Sequence, residues 1–328
     1  MATVQSAPPI FILGISQRSG TNFLFDLLRL HPDCAAPSTN WEDFLLYHAD
    51  SLAEYVDAVC RGWRRRGIDG SVEDLLYARL GEALISVLAA RAPGKRIVTK
   101  TPSVRNLEFF FKLFPGACLL ILVRDGRAVT ESRVKTFGES YETAMRRWAE
   151  GADRILRFRA SADPARCNYR IVRYEDLWND LDAELRRLCA FLRLDPARYD
   201  FHAAANLPVR GSSHFHGDGE ERVHWKPVAK TADFNPIGRW HHWPAALRQR
   251  FDWLAGEKQA AFGYERAAGE SPCAWKLRNK VADGKWKLSQ LCRSLGRAGK
   301  KMVKAVLGPA RASEVRRRLI SFARPLSG

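Results

Sequence analysis

Residues 10–30 read IFILGISQRSGTNFLFDLLRL, and the rest of the chain can be parsed outward from them. Ile10 to Ile15 form a short, unbroken apolar run, the pattern of a strand buried on both faces of a parallel sheet. A polar turn follows. Phe23, Leu24, Leu27, Leu28 and Leu30 then recur at helical spacing until His31-Pro32 stops the helix. A strand, a polar loop and a helix in that order bring successive backbone N–H groups together where the helix dipole favours negative charge. Gly20 lets the backbone approach an anion closely. Arg18 adds a permanent, fork-shaped cation, and Ser19, Thr21 and Asn22 add short polar groups.

The loop departs from the Walker A pattern of nucleoside-triphosphate enzymes. Its glycines, Gly14 and Gly20, lie one residue further apart, and Thr21 occupies the lysine position. A Walker enzyme also needs an acid to hold Mg²⁺. The corresponding strand here ends Leu122-Val123-Arg124-Asp125, with a cation ahead of the acid. A kinase or NTPase of the P-loop type is therefore the second reading of this loop.

Outward from the loop, strands are expected at 96–99, 117–123 and 169–172. Helices are expected near 103–113, 126–136, 139–160, 175–192 and 244–262. Two further helices, 41–66 and 72–91, form a helical insertion at 41–91. Strands alternating with helices predict an α/β fold: a P-loop-like, three-layer arrangement with a central parallel sheet flanked by helices. Ligands of such sheets bind at the carboxyl ends of the strands. Periodicity fails between 206 and 239, where Gly, Ser, His and Pro are frequent, as in a functional loop. The expected organisation is a domain over 1–265 and a basic tail over 266–328.

The net charge of +17 over 328 residues points to anionic ligands or an anionic surface. The tail carries most of it: fifteen Lys or Arg from Ala274 onward against Asp283 and Glu314. Aromatic and aliphatic residues interleave with these cations, as in a helix lying on an anionic membrane, although a solvated appendage has the same composition. No nucleic-acid motif accompanies the charge, so no nucleic-acid partner is expected. The seven cysteines are odd in number and never at CxxC spacing, which predicts neither a disulfide framework nor a metal site. With no leader-like segment at the N-terminus, the expected location is cytoplasmic, with peripheral membrane contact through the tail.

Three more segments carry a resemblance. They are Val98-Thr99-Lys100-Thr101-Pro102, Leu122-Val123-Arg124-Asp125-Gly126-Arg127 with Ser132 eight residues after Arg124, and Asn235-Pro236-Ile237-Gly238-Arg239-Trp240. Together with Arg18-Ser19-Gly20-Thr21, these resemble the sulfotransferases that use 3′-phosphoadenosine 5′-phosphosulfate (PAPS), nearest the tyrosylprotein and bacterial branches. The resemblance runs from about residue 10 to 262. It implies PAPS as co-substrate, no metal, and a hydroxyl acceptor: a carbohydrate or other glycan, a phenol, or a lipid-linked metabolite.

The resemblance also implies roles. Arg18, Ser19, Gly20, Thr21 and Asn22 would hold the 5′-phosphosulfate, and Arg124 with Ser132 would grip the 3′-phosphate. Lys100 would stand near the transferring group, with Lys230 a further cation and Arg239 in the donor site. Ser212 or Ser213 matches a neighbouring serine. In-line transfer places negative charge on the leaving phosphate, which Arg18 and Lys100 would neutralise. A hydroxyl acceptor needs a base. Glu42, flanked by Trp41 and Phe44, is the candidate and Asp43 the alternative; an acid in the first turn of a helix is the competing reading. His31 is expected to be structural, and His214 and His216 to serve the acceptor site or the surface. Glu175 and Asp176 are expected to cap a helix.

Overall fold

The structure is a computed structural model that describes residues 7–39, 42–67, 71–212, 227–231, 234–266, 275–292 and 294. The chain divides into two compact units, Met1–Ala267 and Ala268–Gly328.

In chain order the first unit contains β1 (Ile10–Gly14), α1 (Thr21–Leu28), β2 (Cys34–Ala35), α2 (Ala49–Arg64), α3 (Ser71–Ala89), β3 (Arg96–Thr101), α4 (Phe110–Leu113) and β4 (Cys118–Val123). There follow α5 (Gly126–Phe137), α6 (Tyr141–Ser161), β5 (Tyr169–Arg173), α7 (Tyr174–Asn179), α8 (Leu181–Leu192), α9 (Phe201–Ala205) and α10 (Ala245–Ala260). In the second unit a helix is described over 275–292.

The strands form one parallel sheet in the order β2-β3-β1-β4-β5, with Ile12 opposite both Lys100 and Leu120. The side-chain period of two divides each central strand between two apolar layers. Phe11, Leu13, Leu119, Ile121 and Val123 pack with the helices of 49–161 and with α10. Ile10, Ile12, Leu120 and Leu122 pack on the other face against α1, α7 and α8. This two-sided burial is why the strands read as continuous apolar runs. The chain leaves β1 on one side of it for β2 and β3, and later returns on the other side as β4. The crevice at the carboxyl ends of β1 and β4 therefore lies at the switch in strand order, where open α/β sheets bind ligands.

The three-layer α/β expectation holds, and several boundaries move. The helix expected at 41–66 begins only at Ala49, because residues 42–44 are tied to β3 by hydrogen bonds in a non-helical course. The Asp43 N–H donates to the Lys100 carbonyl at 3.2 Å, and Phe44 adopts a left-handed φ of 52°. An acid in a first helical turn is thus not the setting of Glu42. The helix expected at 175–192 is two, broken at Asp180, whose φ of −144° is extended and whose carboxylate accepts from the Ala183 N–H at 3.2 Å. The two-residue strand β2 was too short to give a periodic signal.

Candidate active site

The loop after β1 curls at the N-terminus of α1. Arg18 and Gly20 both take left-handed backbone, with φ of 76° and 96°. Gly20 could not be replaced even by alanine without collision: a Cβ there would lie 2.4 Å from the Tyr174 ring. The Ser19 hydroxyl turns inward to the Ser16 carbonyl and so braces the loop rather than facing the crevice. Of the five loop residues expected to hold an anion, Arg18, Gly20, Thr21 and Asn22 line the crevice directly.

The segment after β4 is fixed by side chains from three helices. Trp148 Nε1 donates to the Arg124 carbonyl at 3.1 Å, and Glu175 accepts from the Asp125 N–H at 3.0 Å. Gln259 accepts from the Gly126 N–H at 3.0 Å. A Cβ on Gly126 would meet Phe251 and Trp148 at 2.6 Å, which explains the glycine. Asp125 caps α5 through the Arg127 N–H at 2.8 Å and also pairs with the Arg127 guanidinium. Its carboxylate is thereby engaged and does not stand ready to hold a metal ion as a Walker acid would. Arg127 lies 3.7 Å from the Trp240 ring and is structural. Glu175 was expected as a helix cap, but it is buried between the Asp125 N–H and the Tyr264 hydroxyl, at 2.5 Å from the latter. Burial raises its pKa, and those hydrogen bonds oppose the rise.

Backbone held this firmly delivers Arg124 into the crevice. Its guanidinium donates to the Arg18 carbonyl at 3.0 Å and the Pro236 carbonyl at 2.6 Å, and stacks 4.5 Å from the centre of the Tyr174 ring. Its Nε is buried with no hydrogen-bond partner among the described residues. Arg18 Nε donates to Ser132 Oγ at 3.1 Å, so the loop residue meets the pair that was read from a distant motif. Burial lowers the Arg18 pKa to about 10, with Arg124, Arg239 and Arg133 adding repulsion. Arg239 is likewise lowered to about 10, by burial first and Arg124 second. Its guanidinium lies 3.3 Å from Ser212 Oγ. Cations crowded this closely call for a multiply charged anion.

The crevice is a cavity of about 300 Å³. Lys230 lines it, donating to the Ala205 carbonyl at 3.1 Å, with its pKa lowered by burial. Glu42 stands at its rim and accepts from Lys100 Nζ at 2.8 Å. Lys100 itself is buried behind Glu42, 5.8 Å from the centre of the Phe25 ring. Asp43 points elsewhere: it accepts from Thr99 Oγ1 at 2.6 Å, Thr101 Oγ1 at 3.2 Å and the Leu45 N–H at 2.8 Å. Burial raises its pKa. Two neighbouring acids thus have separate tasks, one tying the 42–45 segment to β3 and the other facing the cavity.

Sequence reasoning missed the aromatic wall. Tyr174, Trp178 and Phe234 line the cavity, and Trp178 meets Phe234 edge to face at 5.6 Å. The four-residue spacing of Tyr174 and Trp178 on one helix face was the available signal. Also missed was the pair of Arg210 with Asp26, which ties the 207–212 segment to α1. His31 is fully buried, bonded to the Asp195 carbonyl and the Asp33 N–H, as a structural histidine would be. Trp41, Ser213, His214 and His216 lie outside the described residues. A second cleft of about 780 Å³ shares Gln17, Phe44 and Pro102 with the first.

Comparison with known proteins bears on family and fold. The sequence profile of the sulfotransferase family matches residues 8–198. The nodulation protein NoeE of Sinorhizobium fredii is 29% identical over 260 residues, covering 70% of this chain and 59% of its own. A protein-tyrosine sulfotransferase of Drosophila melanogaster is 26% identical over 196 residues, 56% of this chain and 38% of its own. The chain therefore spans less than two thirds of the length of these relatives. The sulfotransferase domain of the Synechococcus PCC 7002 olefin synthase shares the fold, with a TM-score of 0.52 and 24% identity over 79% of this chain and 96% of that domain. With the profile matched across more than half its length, and the loop, Arg124 and Ser132 gathered at one crevice, this chain belongs to the sulfotransferase family.

Proposed function

We propose that the protein transfers a sulfuryl group from PAPS to a hydroxyl acceptor at the crevice between β1 and β4. The observation that carries this reading is the meeting of Arg18, Arg124, Ser132 and Arg239 around one cavity. A donor with phosphate at both the 5′ and 3′ positions supplies the dense negative charge these groups demand. The α1 N-terminus and Arg18 suit the 5′-phosphosulfate. Arg124, with an unspent buried Nε, and Ser132 suit the 3′-phosphate. Tyr174, Trp178 and Phe234 offer aromatic faces and edges to a purine.

In the proposed reaction the acceptor oxygen attacks sulfur in line and the bond from sulfur to the phosphate oxygen breaks with its electron pair. Arg18 and Lys100 neutralise the phosphate left behind, and Lys230 supplies a further cation. Glu42 accepts the acceptor's proton. Glu42 and Lys100 are paired before reaction, so Lys100 must exchange the carboxylate for the donor as the base is released. The second cleft is the approach for the acceptor. Its edge carries Phe44 and Tyr47 at 6.1 Å, with Arg105 4.9 Å from the Tyr47 ring, a surface suited to a ring-bearing hydroxyl such as a sugar or phenol.

Thermal shift with 3′-phosphoadenosine 5′-phosphate (PAP), compared with ATP–Mg²⁺, tests the donor site. A ligand at about 100 times its dissociation constant adds about 2.7 kcal/mol of stability. Stabilisation by ATP–Mg²⁺ and not by PAP would remove the reading. Mass spectrometry of sulfated products across carbohydrate, phenolic and lipid-linked acceptors then identifies the acceptor class.

A further inference from the structure

The helix over 275–292 presents an apolar stripe that the donor and acceptor sites leave unused. Leu277, Val281, Leu288 and Leu291 are all exposed, at 66%, 51%, 62% and 55%. Their separations of four, seven and three residues keep them on one face of an α-helix. Gly284 falls in the same stripe and leaves it smooth. On the helical wheel, Lys276, Lys280 and Lys287 border one side of the stripe, and Arg278 and Lys285 border the other. The opposite face is less exposed: Asn279 is 6% exposed, and Trp275, Ala282 and Trp286 are half-buried. Asp283 is the single acid in the helix.

We propose that this face docks on an anionic lipid surface, with the apolar stripe entering the boundary between headgroups and acyl chains. Charge selects the occupant. Long basic side chains on both flanks can lay their methylene stems along the acyl boundary and hold their ammonium and guanidinium groups among the headgroups. Each such cation near an anionic bilayer contributes favourably, and five on one helix act together. A partner protein's apolar groove would gain nothing from cations on both rims unless the groove were itself acidic. No helix among the described residues is long and apolar enough to cross a membrane, so the contact is with the surface.

The full-length protein should be sedimented at low ionic strength with phosphatidylcholine vesicles, with and without about one third phosphatidylglycerol. Binding at least tenfold stronger to the anionic vesicles is expected. The combined variant Leu277→Gln, Leu288→Gln and Leu291→Gln keeps the charge and should lose tenfold or more of that binding. Its thermal stabilisation by PAP should match the unaltered chain, which separates loss of docking from loss of fold or donor site. Equal vesicle binding by variant and parent would overturn the proposal, since charge alone would then suffice. Absence of binding to anionic vesicles would also overturn it. So would a dimer in sedimentation velocity that the same substitutions dissolve, because the stripe would then be a protein interface.

Discussion

Lys100 Nζ lies 2.8 Å from Glu42 Oε1, and this pair joins a strand of the sheet to the rim of the cavity. Lys100 is nearly fully buried while Glu42 is one-quarter exposed, so the contact links the interior to the surface that an acceptor would reach. Replacing Glu42 with Gln removes the proposed base but preserves shape and one acceptor atom for Lys100. Turnover should fall by about 10²–10⁴ while PAP affinity stays within a few fold. Single-turnover kinetics beside PAP titration measures both. A fall in PAP affinity with turnover retained would make Glu42 a structural partner of Lys100 instead.

Arg124→Ala should weaken PAP binding by about tenfold to a hundredfold and abolish the preference for PAP over adenosine 5′-phosphate. Arg124→Lys keeps the charge but loses the fork that reaches both the Arg18 and Pro236 carbonyls, and it should recover only part of the affinity. Calorimetric titration of the two nucleotides is decisive. Selectivity unchanged in the alanine variant would remove Arg124 from the 3′-phosphate site.

Gly20→Ala should destabilise the protein and disable the loop together. The left-handed backbone costs alanine about 1–2 kcal/mol, and the new methyl would press on Tyr174. A lower Tm and the loss of stabilisation by PAP are expected. Retention of both would show that the loop relaxes without consequence.

The crowded arginines make an electrostatic prediction with a definite sign. Arg18 and Arg239 have pKa values lowered to about 10, so the unfolded chain binds their protons more tightly than the folded one. The resulting destabilisation is complete below about pH 10 and is relieved as pH rises through that value toward the unfolded range. At neutral pH, Arg239→Gln should therefore raise the Tm of the ligand-free protein and reduce the further rise that PAP provides. Scanning calorimetry with and without PAP reads both. A lower Tm without ligand would show that Arg239 stabilises the fold.

Tyr264→Phe leaves the buried Glu175 carboxylate with one partner fewer. A cost of about 1–3 kcal/mol in urea unfolding is expected. Because Glu175 also holds the Asp125 N–H, the variant should loosen Arg124 and weaken PAP binding in parallel. A change below about 0.5 kcal/mol would place the clamp's strength elsewhere.

Much of the candidate site was legible because it is written in local patterns. The β1 loop is contiguous, and β1 and β4 are buried on both faces, so their sequences are unbroken apolar runs. The setting of residues 42–44 was not legible. Their non-helical course depends on hydrogen bonds that the Asp43 carboxylate accepts from Thr99 and Thr101, more than fifty positions away on β3, and helical periodicity downstream hid the true start at Ala49. Glu175 was misread for a similar reason: its position after a strand looks like a cap, but Tyr264, 89 residues on, draws the carboxylate inward.

The sequence by itself determined the strand–loop–helix, the glycine and cation chemistry of the candidate anion site, and the division between a balanced body and a basic tail. These depend on residue type and short spacing, which the chain carries wherever it folds. Only the tertiary structure decided that Arg18 meets Ser132, that Glu42 and not Asp43 faces the cavity, and that Tyr174, Trp178 and Phe234 form its wall. Parallel strand order set those meetings, since it brings the ends of β1, β3 and β4 side by side across more than a hundred residues of chain.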